Sequence, residues 1–493
     1  MSILGDGGPA GPLRGEWVNH ADPLMKPRLS TVEFEAIHEV LAYYHPQGPL
    51  RAFTTYFRPG TGKPMYVAHG QYFDLDHVLG RLIGTPGLST GFGTQIYGGG
   101  KGHDMFGTVA SSIGEAVERV LGSLAWVAWR ERIVHGTYRD LVRQGLTCVH
   151  PEEFPIFAPE QLANDELFEA WTEDTYLGWI PGHRLISGVQ TYVPAQLTML
   201  FYLRQPGEAF IGVAPSGGLA SHVSRRDALW HGILELLERD AVNIRWYGGI
   251  PLDRIVLDRP VRLPGLRRIL DAAAGQPGEI RFYSHNLEFP EYPVVTAIER
   301  DPWLRRYSYF AGGGVSDDID EALLSALTEY AQAERSLRLG LATPDWEFTE
   351  AFGRQFAIEP DARAKDFSNY IQVIPYYGFE SNRERASWFF DDGPEVPLSS
   401  LPTRPDPDPE RRWDALIAML SGRGWDPIVF DFSPEQLNRT RLMKVVVPEL
   451  TPPYPPSSPG LGSPRYRSVP HTSGRREAPL DFADLTTSVL PYP

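Results

Sequence analysis

The stretch from Arg226 to Tyr247, RDALWHGILELLERDAVNIRWY, limits what this chain can fold into more than any other. At 100° per residue it reads as a helix with two faces. Leu229, Ile233, Leu236 and Leu237 share one side. Asp227, His231, Glu235 and Glu238 fall within about 80° of one another on the opposite side, by the 3.6-residue period. A solvated helix face normally mixes signs, with acids and bases pairing at i, i+4. Here the acids stack, and Arg239 sits at their edge. Stacked carboxylates repel unless a cation neutralises them, and hard oxygen ligands suit Mg2+ held together with phosphate. The plainer reading is an amphipathic helix that begins with a capping box, Ser224 to Asp227. That reading is preferred only until the design recurs.

It recurs twice. After the glycine cluster Gly98–Gly102, which brackets Lys101, comes a helical pattern carrying Ser112, Glu115 and Glu118 at i, i+3, i+6, with Arg119 beside them. Steps of about 60° place these residues on one band. A Ser112–Glu115 capping box is again the alternative, but Thr108-Val109-Ala110 already fits the helical pattern, which places Ser112 inside the helix. The cluster itself reads as a turn able to cradle phosphate. It is not a Walker A loop, because GGGKGH lacks the spacing and the Ser/Thr after Lys. A second glycine turn, Gly312 to Gly314, precedes the third helix, where Glu329, Gln332 and Arg335 repeat the band. Two of the three helices end in E-x-x-E-R.

Strand-like runs between the helices give a mixed α/β (α+β) class, with acidic helices packed on β-sheets. At 493 residues the chain has room for two or three domains or one large unit with additions. The expected division is an arm with a small helix/strand segment at 1–59, a catalytic domain at 60–470 and a proline-rich tail at 471–493. Strands are expected near Gly188–Val193 and Met199–Leu203, and loops from Pro344 to Arg412. The segment after Pro448 is expected to lack regular structure, with Tyr454, Arg465, Tyr466 and Arg467 as anchors. A net charge of −16 argues against nucleic acid or an anionic membrane as partner. One cysteine, Cys148, excludes an internal disulfide, and the histidines lack zinc-ligand spacing. No secretory signal or transmembrane run is apparent, so a cytoplasmic protein is expected.

Three motifs in fixed order, GKG…SSIGEAVER, PSGGLASHVSRRDALWHGILELLERD and GGGVSDDIDEALLSALTEYAQAER, resemble the YcaO superfamily, together with VVVPEL and SPRYR. The resemblance implies an ATP-binding fold in which acidic helices hold Mg2+ against the triphosphate. It places Ser112, Glu115, Glu235 and Gln332 at ATP, and Glu115, Glu118, Asp227, Glu235 and Glu238 at Mg2+; phosphoryl transfer also needs positive charge on the phosphates, for which Lys101, Arg119, Arg239 and Arg335 are the candidates. Val223 and Glu334 stand where the family usually has Asn and a basic residue. The implied reaction is cyclodehydration of a ribosomal precursor peptide, in which Cys, Ser or Thr attacks the preceding amide and phosphate leaves as a thiazoline or oxazoline forms. A macrocyclic amidine, a thioamide or a non-catalytic ATP-binding scaffold are the alternatives. A homodimer is expected, and the resemblance leaves room for a leader-binding or E1-like partner. The ending Leu-Pro-Tyr-Pro is similar to the Pro-x-Pro-x-Pro of azoline-forming members, which would bring the Pro493 carboxylate to the site.

Overall fold

Gly99–Gly102 and Gly312–Gly314 lie in strands, not turns, in the computed structural model of this chain. The structure describes residues 50–57, 65–72, 74–85, 99–103, 105–163, 167–276, 278–300, 309–342, 357–367, 372–403, 407–435, 437–451 and 458–491, with isolated positions besides. Strands β1 (Leu50–Phe57), β2 (Tyr66–Tyr72) and β3 (Gly99–Gly102) form an antiparallel sheet in that order. Helix α1 (Met105–Trp129) lies on β3. A Cβ on Gly100 would stand 2.1 Å from the Thr108 carbonyl oxygen and 2.5 Å from the Ser112 nitrogen. Only glycine lets the strand and helix backbones approach this closely.

The same device seats the third acidic helix. Strands β8 (Asp253–Val256), β9 (Glu279–Ser284), β10 (Val294–Arg300), β11 (Tyr309–Val315) and β12 (Glu395–Pro397) form a five-stranded sheet, order β11-β10-β9-β8-β12. Helix α3 (Ile319–Ala342) covers β11. A Cβ on Gly312 would lie 2.2 Å from the Tyr330 nitrogen, and one on Gly314 would lie 2.4 Å from the Ala322 carbonyl oxygen. Alternation turns Gly313 to the opposite face, where its Cβ would meet Glu238 Oε1.

A six-stranded sheet completes the frame, with order β4-β5-β13-β14-β7 and β6 beside β5. Its members are β4 (Val134–Gly136), β5 (Leu177–Arg184), β6 (Gln190–Pro194), β7 (Leu219–His222), β13 (Ile428–Asp431) and β14 (Arg441–Val446). Helix α2 (Arg225–Tyr247) packs on β14 and β7. Its expected apolar residues Leu229, Ile233, Leu236 and Leu237 are all buried, and so is most of the helix beyond Glu238. On its acidic face Glu238 is buried, Asp227 and Glu235 are half-buried, and His231 is exposed.

Three expectations are corrected. Met199–Leu203 is a turn in which Phe201 takes φ of 52°, not a strand. The region expected as loops includes helices Val373–Gly378, Glu380–Arg385 and Ser387–Asp391 as well as β12. The tail contains helix α4 (Arg465–Thr472) and a 3-10 turn, Phe482–Asp484, despite its prolines. Tertiary anchoring outweighs local propensity there. Arg465 pairs with Asp240 of α2 at 2.6 Å and with Glu288 at 2.5 Å, and Tyr466 meets Tyr247 edge to face. Further along, the Trp246 indole N–H donates to the Ser488 carbonyl at 2.8 Å, and the Tyr377 hydroxyl donates to that of Val489. Arg467 only approaches Glu160, at 3.9 Å.

Asp240 is fully buried, so removing its partner strands a charge. Arg465→Ala is expected to cost about 3–5 kcal/mol by denaturant unfolding, the usual consequence of breaking a buried pair. No described helix is long and apolar enough to cross a membrane.

Candidate active site

Three helices and two glycine-bearing strands bring the expected acids together. From α1, Glu115 accepts a hydrogen bond from the Gly99 N–H at 3.0 Å, and Arg119 lies 3.6 Å from Glu115 and 4.0 Å from Glu118. From α2, Glu235 accepts from the Gly218 N–H at 2.9 Å. Glu238, one turn on, is 8% exposed and sits against Gly313 of β11. From α3, Glu329 meets Lys101 of β3 at 2.7 Å. Gln332 is half-buried one turn beyond Glu329.

The carboxylates interact in a closed circuit. Glu115 feels Glu329, Glu118 feels Glu235 and Glu115, and Glu329 and Glu235 both act on Glu238. Burial is the main cause that raises Glu115 above its ordinary value and Glu118 well above it. Arg119 opposes both shifts, whereas the neighbouring acids add to them. Glu238 is pushed up to about 7, first by burial and then by Glu329 and Glu235, against Arg239 and Lys101. These acids are costly as they stand, and a divalent cation would relieve them.

The remaining expected residues divide. Asp227 stands two turns before Glu235, about 12 Å along the axis at 1.5 Å per residue. Its carboxylate accepts from the Ser224 hydroxyl at 2.5 Å and lies 3.6 Å from His222 Nδ1, and its N–H is capped by Ser224 Oγ. Ser224 thus caps the start of α2, and the Asp227 carboxylate is bound to that cap. The Arg335 side chain and Pro493 lie outside the described residues. Lys444 is also buried beside the acids. Its signal was a single charge inside the apolar run RLMKVVV.

The chain's own atoms fit a bound Mg-nucleotide. Ser112 Oγ is fully buried without a hydrogen-bond partner. Lys101 and Arg119 supply positive charge next to the acids. Among the described residues no three His, Cys, Asp or Glu side chains converge to hold a metal by themselves. Mg2+ usually takes one or two carboxylates and completes its shell with water and phosphate oxygens.

A model of the family described as "YcaO cyclodehydratase, ATP- and Mg2+-binding" matches residues 99–451, more than half of the chain. The chain belongs to the YcaO family. It is therefore an enzyme of an ATP-dependent, Mg2+-binding family, and the matched span covers the five coupled acids. Among solved structures, a heterocyclase in complex with substrate and cofactor superposes with a TM-score of 0.70 at 19% identity, covering 94% of this chain and 57% of that one. YcaO from Methanopyrus kandleri bound with AMPPCP and Mg2+ gives 0.54 at 19% identity, covering 84% and 88%. The Escherichia coli microcin synthetase McbBCD complex gives 0.55 at 14% identity, covering 92% and 99%. These likenesses show the shared fold. An uncharacterized protein of Methanothermobacter thermautotrophicus is 27% identical over 206 residues, 37% of this chain and about half of that relative's length, 52%.

The raised Glu238 makes a pH prediction. The folded carboxyl keeps its proton up to about pH 7, whereas the ordinary value is 4.5. Between those values the folded state binds more protons than the unfolded one, so stability falls as pH rises. Glu238→Gln is expected to flatten that fall in the nucleotide-free YcaO protein and to melt above the parent at pH 8. Thermal melts from pH 5 to 8 read this directly; parallel curves for the two proteins would contradict it.

Proposed function

We propose that this YcaO enzyme uses Mg-ATP to activate a backbone amide of a ribosomally made peptide, converting a Cys, Ser or Thr of that peptide to a thiazoline or oxazoline. The observation that supports the reading most is the closed circuit of Glu115, Glu118, Glu235, Glu238 and Glu329, contributed by three helices and faced by Lys101 and Arg119. Bound Mg-ATP would supply the phosphoryl group that turns the amide oxygen into a leaving group. Glu115, Glu118, Glu235 and Glu238 would surround the metal, one or two of them as direct ligands and the others through its water, with Asp227 as a peripheral acid. Lys101, Arg119, Arg239 and Arg335 would offset phosphate charge, and Ser112 and Gln332 would donate hydrogen bonds. Overall, the substrate hydroxyl or thiol bonds to the preceding carbonyl carbon, the carbonyl oxygen leaves as phosphate, and two protons are released as the ring closes.

The nucleophile comes from the substrate. Cys148 is buried, and burial pushes its thiol up to about 11, so it stays protonated and unreactive. Cys148→Ala is expected to retain peptide-dependent ADP release; a folded but inactive variant would overturn the substrate-nucleophile mechanism.

Synthetic peptides with an internal Cys, Ser or Thr and oxygen-18 in the preceding carbonyl test the whole reading. With enzyme and Mg-ATP, loss of one water from the peptide and oxygen-18 in the released phosphate support it. Exchange of oxygen for sulfur when sulfide is supplied would point to thioamidation. ADP release without any change in peptide mass would count against ring formation. The peptide substrate and a leader-binding partner belong to this proposal, as does a homodimer; sizing chromatography reads the last.

A further inference from the structure

Lys444 lies on β14, in the middle of an apolar strand, and is 2% exposed. A buried ammonium costs several kcal/mol of lost hydration unless its surroundings return it. A methionine would fill a buried strand position without that cost. The surroundings here are specific. Lys444 Nζ donates to the carbonyl oxygens of Pro215 and Gly217, both at 2.7 Å. The next residue of that turn is Gly218, whose N–H donates to Glu235 and whose carbonyl accepts from the Val445 N–H at 2.7 Å. Gly218 has φ of +78°, and a Cβ there would stand 2.5 Å from the Val445 carbonyl oxygen. The turn is therefore pinned between β14 and α2, with the lysine at one end and the carboxylate at the other. Burial lowers the ammonium to about 8; Glu235 and Glu118 oppose that fall, and Arg119 adds to it.

We propose that Lys444 is a positioning residue of the nucleotide site: it holds the 215–218 turn so that Gly218 fixes one oxygen of Glu235, and it sets a positive charge behind Glu235 and Glu118. The proposal rests on the Mg-ATP reading of this site. One Glu235 oxygen is held by a backbone donor, which leaves the other free to turn toward a metal. The buried charge offsets the two acids while the site is empty, so the cluster forms before the ligand arrives. Lys444 itself touches backbone carbonyls, and it acts through Gly218 and Glu235.

Four proteins test this: the parent, Lys444→Met, Lys444→Gln and Lys444→Arg. Each is titrated with Mg-AMPPNP by calorimetry, and the Mg2+ midpoint of ADP release is measured at saturating ATP. Lys444→Met is expected to stay folded by circular dichroism and to bind Mg-AMPPNP about 10- to 100-fold more weakly, the range for partners that orient metal ligands. Its Mg2+ midpoint rises. Lys444→Arg, which keeps the charge and can reach both carbonyls, recovers most of the loss; Lys444→Gln, which can donate without the charge, falls between. A purely structural lysine would lower the melting temperature and leave the Mg2+ midpoint of the folded protein unchanged. A folded Lys444→Met with parental affinity and midpoint overturns the proposal. If that variant fails to fold, parental behaviour of Lys444→Gln overturns it. If neither folds, Lys444 serves the fold alone and the proposal is likewise overturned. A parent that binds no Mg-AMPPNP overturns the nucleotide reading itself, a result that separates the two failures.

Discussion

Glu118→Gln, Glu235→Gln and Glu238→Gln are each expected to lower Mg-dependent ADP release by about 100-fold or more, at least the range known for groups supporting a bound metal. Folding should survive all three. The substitutions are nearly isosteric, and each removes a negative charge from a circuit whose members repel. Nucleotide-free variants should therefore melt at or above the parent at pH 8, even as they lose ligand. Loss of function with a gain in stability is what separates ligand-holding carboxylates from structural ones, since a structural carboxylate would lose both. Steady-state ADP release and thermal melts on the same preparations read the two quantities. Parental turnover in any of the three would remove that residue from the metal site.

The second large effect concerns backbone proximity. Gly312→Ala should destabilise the protein by about 3 kcal/mol, toward the upper end of overpacking costs. The new methyl would meet the Tyr330 nitrogen and the Ala326 carbonyl oxygen, at 2.2 and 2.4 Å, and these are helix backbone atoms without a rotamer to yield. Relaxation has to move α3 away from β11, and α3 carries Glu329 and Gln332. Mg-nucleotide affinity should therefore fall together with stability. Gly422→Ala, at the last position of the helix Pro409–Gly422, is the control, because a Cβ there has nothing within 4 Å and φ is not positive. That variant should match the parent or gain up to about 1 kcal/mol from helix propensity. Urea unfolding midpoints compare the pair; equal midpoints would mean that the helix and strand backbones are not in contact as described.

The acids were legible in the sequence because their signal is local. A repeat of i, i+3, i+6 fixes Ser112, Glu115 and Glu118 on one side of a helix whatever that helix packs against. The glycine clusters look like turns for the opposite reason. Turn propensity is also local, but Gly100 and Gly312 are glycine because another backbone lies against them. Nothing in GGKG or AGGGV distinguishes a turn from a strand pressed on a helix. The tail shows the same limit: Tyr466 and Arg465 gain burial and ion pairs on α2 that outweigh Pro470 within an eight-residue helix. Asp227 was legible in both of its readings, and the capping contact with Ser224 is the one that the structure forms. Lys444 needed the fold, because the turn it holds is more than 220 residues away in sequence.

If carboxylates from α1, α2 and α3 make one Mg-nucleotide site, removing the metal or one of the acids should abolish most of the binding. Calorimetric titration of the parent and of Glu235→Gln with AMPPCP, with Mg2+ present and then chelated, tests it most directly. The account predicts one site per chain in the parent, loss of most of the affinity without Mg2+, and comparable weakness in Glu235→Gln under both conditions. Equal, Mg2+-independent binding by the two proteins would contradict it.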